Sequence, residues 1–105
     1  MLDETKPPRL TEQTLRVLGA ILSCGLEEVS GAEIASVTNL ASGTLYPILL
    51  RLEQAKWLDS RWENQSPQEL KRPRRRLYRA TALGAKRAKE AFRTVASAFG
   101  ELAWR

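Results

Sequence analysis

The sequence predicts a mainly α domain with a small β-hairpin, closed by one long C-terminal helix. Three observations predict it. Apolar residues recur at helical spacing in four separate stretches, from Thr11 to the C-terminus. Between the third and fourth, residues 57–63 and 75–80 alternate instead, as strands do. The basic charge gathers beside that alternating segment. At 105 residues with 43% apolar content, the chain has room for one small domain, which gains from burying its last helix in a partner.

Residues 1–10 contain Pro7, Pro8 and alternating charges, and predict a flexible arm. Thr11 is a good N-cap for a first helix reaching Ser23, with Leu15, Leu18, Ile21 and Leu22 inside and Cys24-Gly25 ending it. Ser30-Gly31-Ala32-Glu33 has the spacing of a capping box and opens a short second helix anchored by Ile34, Val37 and Leu40. A turn over residues 38–41 leads to the third helix, with Ser42 as N-cap and Leu45, Ile48, Leu49 and Leu52 on its buried face. Thr44, Pro47 and Arg51 are expected on the opposite side. Two short helices joined this way form a helix-turn-helix.

In the first strand Leu58 and Trp62 are the inward candidates. Residues 64–73, broken by Pro67 and Pro73, read as a loop before the return strand, in which Leu77 points opposite to Arg76 and Tyr78. A hairpin placed here is a wing. The expected architecture is therefore a winged helix-turn-helix over residues 11–81 and a dimerisation helix over residues 82–105. Thr81 caps that helix, and Ala85, Ala88, Phe92, Val95, Phe99 and Leu102 follow at alternating steps of three and four, the spacing of a coiled-coil seam. Ala88, Phe92, Val95, Phe99 and Leu102 are the expected dimer contacts.

Charge is unevenly placed. The chain carries +5 overall, yet residues 1–63 sum to −3 and residues 64–105 to +8. Lys71, Arg72, Arg74, Arg75 and Arg76 fall within six residues of the wing, an electrostatic footprint suited to nucleic acid. Arginine binds phosphate through a planar fork, and a short polar helix fits a major groove. The expected DNA contacts are those five cations with Ser42, Gly43, Thr44, Tyr46, Pro47 and Arg51. Ser42 and Gly43 offer backbone N–H groups at a helix start.

There is no histidine, and Cys24 is the single cysteine. Cys/His zinc sites, histidine-based triads and intramolecular disulfides are excluded, and Cys24 reads as a buried, inert thiol. With no metal-ligand cluster, glycine-rich phosphate loop or paired carboxylates, neither a cofactor nor an enzyme is expected. No apolar run suits a membrane span or signal peptide, which places the expected protein in the cytoplasm.

These residues resemble the PadR family of bacterial winged-helix transcriptional regulators. The resemblance rests on Gly31-Ala32-Glu33-Ile34, on Gly43-Thr44-Leu45-Tyr46-Pro47 with Arg51-Leu52-Glu53, on Pro73-Arg74-Arg75-Arg76-Leu77-Tyr78-Arg79, and on Thr81 with Gly84. It extends over residues 12–95 and looks like the short branch with a single C-terminal helix. It implies a homodimer with intertwined C-terminal helices at a palindromic operator, repressing neighbouring genes and releasing DNA on binding a small aromatic inducer. The chain departs from the pattern at Ala32, where an aromatic residue is usual, at Ala80, where leucine is usual, and at Leu50, where a polar or basic residue is common. Val95 stands where members that bind flat drugs stack them on a tryptophan, and Trp104 lies too far along to replace it. Constitutive binding, or control by a protein partner, is the corresponding alternative. The competing class of function is a winged-helix protein-interaction or nonspecific architectural module that reads no operator.

Overall fold

Thr11 closes the first helix as expected: its hydroxyl oxygen accepts from the Thr14 N–H at 3.1 Å, and α1 runs Glu12–Leu22. The computed structural model describes residues 7–25 and 27–103. The first six residues of the expected arm, the Leu102 side chain and Trp104 lie outside the description. The buried face of α1 is Thr14, Val17, Leu18 and Ile21, whereas Leu15 and Leu22 are only half-buried. This set has the i, i+3, i+4, i+7 spacing of an amphipathic helix, disguised in the sequence by a polar first member. Thr14 tolerates burial because its hydroxyl meets that of Thr11 at 3.0 Å. Cys24 is half-buried rather than buried, with its thiol 3.6 Å from the Ala20 carbonyl.

Val29–Ser30 form a two-residue strand, β1, that the sequence pattern does not predict. Ser30 also starts α2 (Gly31–Thr38), accepting from the Glu33 N–H at 3.1 Å. The reciprocal half of the expected capping box is replaced: the Glu33 carboxylate accepts a hydrogen bond from the Ser30 hydroxyl at 3.2 Å. Of the expected α2 anchors, Ile34 is buried and Leu40 half-buried, but Val37 is 72% exposed. Thr38 takes the inner position, its hydroxyl donating to the Ile34 carbonyl at 2.7 Å. Asn39 ends α2 at φ 57°, a left-handed conformation that asparagine adopts readily. The Thr38 carbonyl left over there accepts from Arg16 Nη1 at 3.0 Å, tying α2 to α1.

Helix α3 spans Ser42–Gln54, with Ala41 rather than Ser42 at the N-cap and no side-chain cap bond. It ends at Ala55; Lys56 turns left-handed at φ 68°, and the Trp57 N–H reaches back to the Leu52 carbonyl at 2.9 Å. This turn seats the Trp57 side chain in the core. Strands β2 (Leu58–Trp62) and β3 (Arg76–Ala80) pair antiparallel, Leu58 against Ala80, Ser60 against Tyr78 and Trp62 against Arg76. β1 adds to the far side of β3, giving the order β1-β3-β2. Leu58 faces the core as expected, and Tyr78 is buried there too. Trp62 does not: it is 56% exposed, because the hairpin outruns the helices beneath it. Within the expected loop a one-turn helix, α4 (Pro67–Leu70), is closed by a full Ser66/Glu69 capping box.

The last helix, α5 (Ala82–Ala103), starts against the α3 exit turn. Thr81 donates its N–H to the Trp57 carbonyl at 3.0 Å and its hydroxyl to the Lys56 carbonyl at 2.7 Å. The Gly84 N–H caps back onto the Thr81 hydroxyl at 3.0 Å. Here the helix presses on the Trp57 backbone so closely that a Cβ on Gly84 would stand 2.0 Å from its carbonyl oxygen. Further on, Ala88 is fully buried in its own protomer, and Phe92 packs against the core near Gly19. Ala88 is therefore withdrawn from the expected dimer contacts, and Phe92 serves its own domain first. Past that point Val95 is half-buried and Phe99 is 67% exposed.

Candidate nucleic-acid interface

Helix α3 is held by Leu45, Ile48, Leu49 and Leu52, all buried. At about 3.6 residues per turn, the direction opposite their mean belongs to Gly43, Pro47, Leu50 and Gln54. All four are exposed. Arg51 is exposed on one flank and Tyr46 on the other, whereas Thr44, expected in front, lies half-buried on the Arg51 flank. Ser42 and Gly43 occupy the uncapped first turn, where amides lack intrahelical acceptors. Pro47 sits one turn deeper than its tolerated place at a helix start. Its missing N–H leaves the Gly43 carbonyl without the usual helical donor.

The wing arginines divide into two sets. Arg72 is bound to the Glu63 carboxylate through both terminal nitrogens, at 2.6 and 3.0 Å. The same carboxylate accepts the Arg75 N–H at 2.8 Å, and the Glu63 N–H donates to the Arg75 carbonyl at 3.1 Å. These bonds, the Arg72 guanidinium foremost, hold the Glu63 carboxyl down at about 2, from an ordinary 4.5. Arg76 is likewise engaged. It lies 5.3 Å over the Trp62 ring, donates through Nε to the Ser60 hydroxyl at 3.0 Å, and stands 3.9 Å from the Glu53 carboxylate. Ser60 passes the contact on by donating its own hydroxyl to Glu53. Arg72 and Arg76 thus brace the hairpin, the one across its tip and the other against α3.

Lys71, Arg74 and Arg75 remain outward and exposed. Lys71 ends α4 at φ 57°. Arg74 is oriented by its Nε, which donates to the Gln65 carbonyl at 2.9 Å, leaving its terminal nitrogens forward. A groove of about 320 Å³ joins wing and helix, lined by Gly31 and Ala32 of α2, Tyr46 of α3, and Trp62 with Arg74, Arg75 and Arg76 of the wing. Glycine at position 31 lets the Tyr46 ring lie close over the groove floor, since a Cβ there would stand 2.8 Å from the Tyr46 hydroxyl and push the ring outward. The structure therefore brings Tyr46 together with Arg74, Arg75 and Arg76, while Thr44 and Arg51 lie on the other flank of α3. Of the braces, Glu53 enters the sequence reading only within the Arg51-Leu52-Glu53 motif, and Ser60, Glu63 and Gln65 carry no local signal of this role. Their pairings depend on hairpin register, which no local spacing encodes.

The opposite sheet face is also charged. Glu28 and Arg61 pair at 2.7 Å beside Asp59 and Arg79. Its near balance of signs makes it a solvated surface. Among the described residues no group of His, Cys, Asp and Glu is placed to hold a metal, and no helix is long and apolar enough to cross a membrane.

Three helices, a three-stranded antiparallel sheet whose β2–β3 hairpin forms a wing, and an outward helix beside that basic wing define a winged helix-turn-helix of the DNA-binding regulator type. The sequence pattern described as "Transcriptional regulator PadR-like family" matches residues 19–90, and the chain belongs to that family. Among solved structures it is similar to Staphylococcus aureus MepR in a DNA-binding conformation, with TM-score 0.68 and 19% identity, covering 90% of this chain and 64% of that one. A PadR family transcription regulator from Clostridium difficile R20291 matches with TM-score 0.65 and 22% identity over 89% of this chain and 99% of its own. Bordetella bronchiseptica BpsR, whose DNA binding is regulated by 6-hydroxynicotinic acid, matches with TM-score 0.67 and 19% identity over 94% and 69%. The chain spans just under two thirds of the MepR length. A comparison with curated protein sequences finds no match.

Proposed function

We propose that this regulator acts as a homodimeric repressor at a palindromic operator, with α3 in the major groove and the wing on the adjacent backbone. The observation that carries the reading is the groove in which exposed Tyr46 of α3 meets Arg74, Arg75 and Arg76 of the wing, beside the outward α3 face of Gly43, Pro47 and Leu50. A groove-sized helix flanked by cations on a rigid hairpin suits combined base and phosphate contact. The second protomer enters through α5: beyond Phe92 this helix leaves its own domain with Phe99 exposed, and a second α5 would cover it.

The proposed contacts are Ser42 and Gly43 by their amides, Tyr46, Pro47 and Arg51 by their side chains, and Lys71, Arg74 and Arg75 by charge. Thr44 sits at the edge of this set. Arg72 and Arg76 act as braces. Exposed Leu50 favours a second reading, docking of a protein partner on the same face. Sizing of the protein on a symmetric duplex separates the two. Two protomers per site, with Arg51→Ala losing preference over shuffled DNA, supports the operator reading. Absence of any duplex preference would leave the protein-docking reading.

A small-molecule inducer is not part of this proposal. Along α5 the depression beside Arg93, Thr94, Ser97 and Ala98 is shallow and open, and these described lining residues carry no aromatic ring.

A further inference from the structure

We infer that the reading face of α3 recognises thymine through its 5-methyl group, with Leu50 as the contacting residue; this rests on the operator reading above. Leu50 lies on the outward stripe, within about 30° of the direction opposite the buried set Leu45, Ile48, Leu49 and Leu52, and it is 54% exposed. A lone exposed leucine is ordinary on a protein surface. This one is set between Pro47, one turn before it, and Gln54, one turn after, with Gly43 completing the stripe. Three of the four outward residues therefore carry no side-chain donor or acceptor. A reading helix built this way has little hydrogen bonding to offer at its centre.

The major-groove edge of a base pair is polar except at one place, the thymine C5-methyl. Leucine laid against guanine N7 and O6, or against the cytosine amino group, strips water from polar atoms and returns no partner. Laid against a thymine methyl it buries apolar surface on both sides. The stripe thus selects by what it cannot bond as much as by what it covers. Arg51, on the adjacent flank, carries the fork that fits guanine. The preferred half-site therefore places a thymine under Leu50 with a guanine within reach of Arg51.

The test uses the full chain and the duplex it selects from a random pool. Each thymine of that duplex is replaced in turn by deoxyuridine, which removes only the methyl, and binding is read by fluorescence anisotropy. Burial of one methyl predicts about fourfold weaker binding at one thymine of each half-site. Leu50→Ala, at an exposed position, keeps the fold and erases most of that penalty at the same thymine. The inference is overturned if no replacement weakens wild-type binding beyond about twofold. It is equally overturned if Leu50→Ala retains the full penalty. A chain that selects no duplex at all would bring down the operator reading itself, and this inference with it.

Discussion

Removing Arg74 and Arg75 together should flatten the salt dependence of DNA binding, whereas removing Arg76 should not. The difference follows from what each guanidinium already holds. Arg76 is committed to Ser60 at 3.0 Å, to the Trp62 face at 5.3 Å and to Glu53 at 3.9 Å. Arg75 spends its backbone N–H on Glu63, and Arg74 spends only Nε, on the Gln65 carbonyl, so both keep charge for phosphate. Each neutralised phosphate contributes about 0.9 to the slope of log K against log salt. Alanine at both positions in both protomers of a dimer lowers that slope by about 3.6. Between 50 and 200 mM salt, the double variant then loses on the order of a hundredfold less affinity than wild type does. Arg76→Ala should leave the slope within about 0.5 of wild type while loosening the wing. Anisotropy titrations at several salt concentrations read both slopes. An unchanged slope in the double variant, or an equal flattening by Arg76→Ala, would refute the division into contacts and braces.

Three further outcomes are expected. Gly84→Ala places a methyl into the Trp57 backbone, 2.0 Å from its carbonyl oxygen, so stability should fall by about 3 kcal/mol, as for severe overpacking. Thermal unfolding should show this as about 12–24 °C in Tm, and a loss under about 1 kcal/mol would contradict the close approach of α5. Glu63 has its carboxyl pKa depressed from 4.5 to about 2, so its contribution is present above the ordinary carboxylate range and is lost as pH falls toward about 2. Glu63→Gln should be less stable at neutral pH and lose less between these two values; denaturation curves with the wild-type pH dependence would argue against the clasp. Phe99→Asp changes an exposed side chain, so the domain should stay folded while sedimentation shows monomers; an intact dimer would remove the distal half of α5 from the interface.

The helix-turn-helix was legible because its signals are local. Thr11 and Ser30 carry their caps within three residues, and the α3 core face repeats at helical spacing. The α4 turn lies inside the segment that reads as a loop, although Ser66-Pro67-Gln68-Glu69 contains a capping box. Pro67 reads as a breaker only until it is placed at the first helical position, where proline is favoured. What escaped the sequence is non-local. β1 is two residues long and exists through pairing with Tyr78 and Leu77. The outward turn of Trp62 reflects where the hairpin ends relative to the helices, not its alternation. The basic run was visible as a run, but its division followed from cross-hairpin pairing with Glu63 and Ser60. The α5 seam was overextended at Ala88, because one apolar stripe serves first the protomer core and then its exposed continuation.

The most direct test of the central claim is anisotropy of the purified chain on the duplex upstream of its own gene, against a shuffled duplex, over a salt series. The account predicts a clear preference for the native duplex, two protomers per site, and affinity that falls steeply as salt rises. Equal binding to both duplexes, or none at low salt, would contradict it.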